Sequence, residues 1–221
     1  MHSTALFATS LIGLTSALPA GHEARTASTV GPITGESKGF NLRVNVTDAT
    51  RDLNPSVQNL YFSDQRVGPG TAISVLGPYP TVFYLNGTAY HTTVTHDIPS
   101  VYPLSIGISG PASYDYFYPA EHPIGTSVNG ATELSLRPGE PILFPLADYE
   151  GGGSYAVCLR DFLFGGSKTQ ILTARYVYGN ETVPADCAPV EFVVECATLP
   201  DLPDGSSWNH DSAFDVPCVR D

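Results

Sequence analysis

A chain of 221 residues with 42% hydrophobic and 14% charged residues is long enough for one or two domains and apolar enough to build a packed core. Its net charge of −12 excludes nucleic acid and anionic membrane surfaces as partners, because both require clustered Lys and Arg, and fits a soluble protein suited to an acidic medium. With 21 Gly and 19 Pro, many short strands joined by tight turns are expected.

Residues 1–17 read as a secretory signal peptide. An apolar run from Ala5 to Leu14 precedes Thr15-Ser16-Ala17, which puts small residues at −3 and −1 of a cut after Ala17. The run is too short, and too interrupted by Thr, Ser and Gly, to span a bilayer. Residues 18–37 have no period and are expected to form a flexible leader. Cleavage after Gly21 would expose His22, as copper-dependent polysaccharide monooxygenases require, but it would place Pro19 at −3. No metal and no cofactor are therefore expected.

The folded domain, residues 38–200, opens on a strand in which Phe40, Leu42, Val44 and Val46 alternate with Asn41, Arg43, Asn45 and Thr47. The stretch SKGFNLRVNVTDATRDLNPSV resembles the start of a family of small secreted proteins from filamentous fungi, catalogued as a domain of unknown function. The resemblance runs from about Ser37 to Leu202. It implies a signal peptide, a β-rich extracellular domain and late cysteines such as Cys187 and Cys196, and it supplies no catalytic residues to carry over.

Asn54-Pro55 marks a turn, and a helical segment between Asp48 and Ser56 is expected only if the all-β reading fails. VQNLYFSDQRV and TAISVL are strands broken by Gly68-Pro69-Gly70. TVFYL and TAYHTTV flank Asn86-Gly87, a strong short signal for a hairpin. SVYPLSIGIS, ATELSLR, ILFPL, SYAVCLR, QILTARYVYG and PVEFVVEC follow. In the last of these Val190, Phe192, Val194 and Cys196 face the core, and Glu191 and Glu195 face solvent. No window longer than about ten residues keeps a helical apolar stripe. The expected fold is all-β, an antiparallel sandwich or jelly roll in one domain with few short helices, and a closed barrel is the alternative. Residues 201–221 form an acidic, Pro-rich tail.

Cys158, Cys187, Cys196 and Cys218 are an even set in a secreted chain, and no metal-site spacing joins them to each other or to His. Two disulfides are expected, with three connectivities open. The pairing Cys158–Cys187 with Cys196–Cys218 is preferred because the second bond would staple down the tail. Asn45, Asn86 and Asn180 head N-glycosylation sequons, all on outward or turn positions.

Tyr114, Tyr116 and Tyr118, with Phe117, could present a glycan-binding platform, or could simply cover the core. His91 and His96 are an odd number of residues apart, so one strand cannot aim both at one metal. Those two, and the acid–His neighbours His96-Asp97 and Glu121-His122, read as surface or turn groups. Gly107-Ile-Ser109-Gly110-Pro111 lacks the register of a hydrolase elbow, and Gly165-Gly-Ser-Lys168-Thr169 lacks that of a phosphate loop. Asp201, Asp204, Asp211 and Asp215 do not match a calcium loop. A carboxylate pair leaves no local motif, so Asp148, Glu150, Glu133, Glu140 and Asp161 stay as candidates for glycoside cleavage.

Together these features point to a secreted glycoprotein that binds or supports rather than catalyses. The expected partner is an extracellular carbohydrate or a surface protein, with no nucleic acid and no membrane span, and the chain is expected to be a monomer. The alternatives are an extracellular carbohydrate-active hydrolase and a fungal effector.

Overall fold

A computed structural model describes residues 32–88, 91–98, 102–108, 121–128, 134–136, 143–145, 153–164 and 166–220. Its strands are β1 (Gly35–Ser37), β2 (Gly39–Val46), β3 (Tyr61–Gly68), β4 (Thr71–Gly77), β5 (Phe83–Thr88), β6 (His91–Ile98), β7 (Tyr102–Ile108) and β8 (His122–Ser127). They continue with β9 (Leu134–Leu136), β10 (Leu143–Pro145), β11 (Gly153–Phe164), β12 (Ser167–Tyr178), β13 (Cys187–Ala197), β14 (Ala213–Phe214) and β15 (Val216–Cys218). The only helical segment among the described residues is a 3-10 turn, Ala49–Arg51. No described helix is long and apolar enough to cross a membrane.

The fold is all-β and antiparallel, as the period-2 patterns require. The main sheet runs β12-β11-β13-β2-β3-β4-β8-β7-β6-β5-β14. Additional pairings of β12 with β8 and of β2 with β5 turn that order back on itself. The result is sandwich-like, with layers joined by hydrogen-bonded corners. Its core takes Phe40, Leu42 and Val44 from β2, Phe62 from β3, Phe83 from β5, Ile106 from β7, Ile124 from β8, and Val190, Phe192 and Val194 from β13. Phe62 meets Phe83 and Phe192 edge-on at centroid distances of 5.8 and 5.5 Å, the geometry that ring quadrupoles favour.

Turn chemistry operates where the sequence places it. Pro69-Gly70 joins β3 to β4, with Gly70 at φ 66°, and Gly166 leads into β12 with φ 83°. Both angles are left-handed and suit Gly. Asn86-Gly87 behaves differently. Asn86 pairs with Thr93 and Gly87 with Thr92, so the β5–β6 turn lies beyond Thr88. The tail explains this: β14 adds to the free side of β5, pairing Ala213 with Asn86, and the Gly87 N–H donates to the Ser212 carbonyl at 3.2 Å. Long-range pairing draws the Asn-Gly step into the ladder.

Four further expectations are corrected. Residues 35–37, read as the end of a leader, form β1 and pair with β15. The tail is anchored by its own side chains as well as by a disulfide, since Ala213, Val216 and Cys218 are buried. His96 is 2% exposed, packed edge-on to Phe83 at 5.3 Å with its Nε2 3.5 Å from Asp64 Oδ2, and is no surface group. Glu195 does not solvate the outer face of β13. Its Oε2 accepts from Arg43 Nε at 2.9 Å and from the Tyr61 hydroxyl at 3.3 Å, and Val193 on that face is buried.

Candidate functional site

Alternation along the β11–β12 hairpin builds two chemistries from one ribbon. Tyr155, Val157, Ala174 and Tyr176 face the main core, while Ala156, Cys158 and Val177 face outward into a smaller cluster with Cys187. Arg160 and Arg175 continue that outward face by the same two-residue step. The segment after β12 folds over them. It is fastened by Arg51, whose Nη2 donates to the carbonyls of Val183, Pro184 and Cys187 at 3.3, 2.6 and 3.1 Å.

The two covered guanidiniums need acceptors, and Glu121 supplies them from just before β8. Arg160 is 3% exposed; its Nε lies 3.1 Å from both Glu121 oxygens and its Nη2 2.5 Å from Oε1. Arg175 Nε lies 3.2 Å from Glu121 Oε2. Arg160 also donates to Asp186 Oδ2 at 2.7 Å, and its Nη2 lies 3.0 Å from Cys187 Sγ. Burial works against the Arg160 charge, but the hydrogen bonds to Glu121 and Asp186 outweigh it and raise the pKa. The hydrogen bond from Arg160 in turn holds the Asp186 carboxyl below the usual range, against the smaller effect of burial.

Beside this cluster is a cleft of about 490 Å³, whose polar lining of Glu121, His122, Arg175, Asn180, Glu181 and Thr182 alternates with Tyr176, Val177 and Pro184. His122 Nε2 lies 3.4 Å from Glu181 Oε1, and the His122 ring packs edge-on to Tyr178 at 4.4 Å. Glu181 Oε2 also accepts from the Tyr178 N–H at 3.0 Å. The rim thus combines carboxylate acceptors, guanidinium and imidazole nitrogens, an amide and a hydroxyl, the inventory that hydrogen-bonds a polyhydroxylated ligand. Arg175 also borders a void of about 20 Å³, room for about one water. An oxygen of Glu121 and the sulfurs of Cys158 and Cys187 lie within 4.8 Å of one another. Both sulfurs are in a disulfide, so no thiolate is available to bind a metal.

A second polar cluster centres on Asp97 of β6. Its Oδ1 accepts from the Tyr84 hydroxyl at 3.1 Å and from Trp208 Nε1 at 2.9 Å, and its Oδ2 lies 2.8 Å from His210 Nε2. The His210 ring packs on Tyr84 at 4.7 Å. Burial, and next the Asp97 charge, push the Tyr84 hydroxyl pKa up. This is a latch that fastens the tail to β5 and β6.

The residues singled out from the sequence are scattered. Tyr114, Tyr116, Phe117 and Tyr118 lie outside the described residues, as do residues 1–17, read as a signal peptide, and Glu133, Glu140, Asp148 and Glu150. Asp161 is ion-paired with Lys168 at 2.8 Å. The cysteines form Cys158–Cys187 and Cys196–Cys218, the preferred pairing. Asn45 is half-buried on β2, its Oδ1 3.4 Å from Gln58 Nε2, and Asn86 is half-buried on β5. Asn180 is exposed in the turn at the cleft mouth. Glu121-His122, set aside in the sequence as a chance acid–His neighbour pair, stands at the centre of the site. Only the register of β12 with β8, which sets Tyr176 opposite His122 and Arg175 opposite Pro123, brings that pair to Arg175.

Among known proteins, the chain is similar to the antigenic protein SchS34 of Stachybotrys chartarum, with 28% identity over 204 residues that cover 86% of this chain and 89% of that protein. No solved structure matches. The domain of unknown function DUF7907 matches residues 37–196, a span that contains the cleft and ends before the latch of Trp208 and His210. By that match the chain belongs to the DUF7907 family.

Proposed function

We propose that this protein is a secreted glycoprotein that acts by binding, in the extracellular space or at a cell wall, and takes carbohydrate in the cleft beside Glu121 and Glu181. The observation that carries the reading is a ligand-sized cleft that sets polar groups of Glu121, His122, Arg175 and Glu181, held by ion pairs, beside the apolar surface of Tyr176, Val177 and Pro184. Two disulfides and the signal pattern support export, and a relative named as an antigenic protein fits exposure outside the cell.

Binding is favoured over hydrolysis by how the cleft carboxylates are used. Glycoside cleavage needs one carboxyl to give a proton and another to attack, or to activate water. Glu121 spends both oxygens on guanidinium donors, and Glu181 spends both on His122 and the Tyr178 N–H. Neither is placed to donate a proton.

The test is a glycan array and an insoluble-polysaccharide pull-down with the purified secreted protein, with released reducing sugar measured in the same wells. Retention without release, weakened at least tenfold by Glu181→Ala, is the expected result. Released sugar would overturn the binding reading in favour of a hydrolase. Retention by neither array nor polysaccharide would remove carbohydrate as the ligand and leave a surface protein.

A further inference from the structure

The rim of the cleft is itself a glycosylation sequon. Asn180, Glu181 and Thr182 all line the cleft, and Asn180 is exposed. The turn that carries them is fixed at several points. The Glu181 N–H donates to the Tyr178 carbonyl at 2.9 Å, the Glu181 side chain closes back on the Tyr178 N–H at 3.0 Å, and Arg51 holds the Pro184 carbonyl at 2.6 Å. A sugar attached to Asn180 therefore starts at the mouth of the cleft on a rigid turn. Asn45 and Asn86 differ: both are half-buried in strands, and neither lines the cleft.

We propose that Asn180 carries an N-linked glycan whose core N-acetylglucosamine units fold back into the cleft, so that the protein holds its own carbohydrate and a free saccharide must compete with it. The proposal rests on the secreted, carbohydrate-binding reading given above, and it adds a regulator to that site. Each Glu181 oxygen has one partner and keeps a second lone pair for sugar hydroxyls and the acetamido N–H, and the Arg175 guanidinium, which lines the same cleft, is the donor for the acetamido carbonyl. Tethering settles whether such weak contacts suffice. A ligand on a short linker sees an effective concentration in the millimolar range, so an intrinsic dissociation constant of about 1 mM already gives half occupancy or more. Self-occupancy of that order lowers the apparent affinity for a free saccharide by roughly two- to tenfold.

The experiment compares the full chain, secreted from a glycosylating host, with Asn180→Gln and with Thr182→Ala, which removes the sequon but keeps the asparagine. Glycopeptide mass spectrometry reads occupancy of Asn180. Hydrogen exchange reads protection of residues 121–128 and 175–184, and NMR titration with chitobiose reads the cleft directly. The expected result is an occupied Asn180, faster exchange in both segments once the sequon is removed, and a two- to tenfold gain in chitobiose affinity in the unchanged chain made in a host that does not N-glycosylate, which keeps Asn180 and Thr182 at the rim. An unmodified Asn180, or exchange that is unchanged on loss of the glycan, overturns the proposal. Glycan-dependent protection with no binding of any added saccharide by either form would keep the proposal and sink the ligand-binding role. Equal saccharide binding in all forms, with no exchange difference, would do the reverse.

Discussion

At the scale of single residues, the outward face of the β11–β12 hairpin leans most on Glu121, the carboxylate that meets both of its arginines, with the more exposed Asp186 as a second partner of Arg160. Glu121 compensates the buried Arg160 and meets Arg175, so its loss leaves guanidinium charge under the covering segment. Removing one partner of a buried ion pair costs about 3–5 kcal/mol, far more than an exposed pair is worth. Glu121→Ala is expected to lower the unfolding free energy by that amount, read as a urea midpoint lowered by that amount divided by an unchanged m value. A loss below about 1 kcal/mol would mean that water reaches the arginines. Nothing local announced this role. Glu121 is an ordinary acid beside an ordinary histidine in the sequence, and the arginines it serves lie on later strands. Gly153, which starts β11, was equally silent: a side chain there would collide with the Tyr176 hydroxyl.

At the scale of elements, the tail shows how polar anchoring complements a covalent bond. The Cys196–Cys218 disulfide closes a loop with a sequence separation of 22, worth roughly 3 kcal/mol by chain entropy. The latch acts within that loop. Trp208 gives Asp97 a hydrogen bond at 2.9 Å, and a bond to a charged acceptor contributes about 1.5–3 kcal/mol. Trp208→Phe keeps most of the ring but removes the N–H, and is expected to destabilise the protein by that amount and to speed proteolysis within residues 201–215. Unchanged proteolysis would show that β14, β15 and the disulfide hold the tail unaided. The latch was hard to read because Trp208 and His210 lie in an acidic, Pro-rich stretch without period. The disulfide was easier, because an even cysteine count beside a signal-peptide pattern points to paired thiols.

At the scale of the whole molecule, acid stability follows from several depressed carboxyls. Asp186 is held down by Arg160, Asp161 by Lys168 and Asp48 by Thr50. Burial works against the Asp52 charge, but hydrogen bonds from Ser56, Val57 and Leu53 together outweigh it and lower the pKa. Each group binds a proton less readily in the folded chain than in the unfolded one. Its contribution is therefore complete above an unfolded carboxyl pKa of about 3.9 and is lost as pH falls through the lower folded value. The urea midpoint should be flat from about pH 7 to pH 5 and fall below about pH 4. Asp52→Asn should make that acid limb shallower, and an equally steep limb would remove Asp52 from the account. An acidic working medium near pH 5 thus leaves stability intact.

The sequence by itself determined most of the strands and turns, the absence of long helices among the described residues, and an even set of cysteines in need of partners, while β1, β8, β14 and β15 lay beyond it. Those features are local: a two-residue apolar period, a Gly that tolerates positive φ, or a count of thiols. The tertiary structure alone decided the cleft, the Glu121 cluster and the Asp97 latch, and it alone moved the β5–β6 turn past Asn86-Gly87. Each of these joins side chains from strands far apart in the chain. Their meeting depends on which strands pair and in what register, a global energy balance that no short window of residues contains.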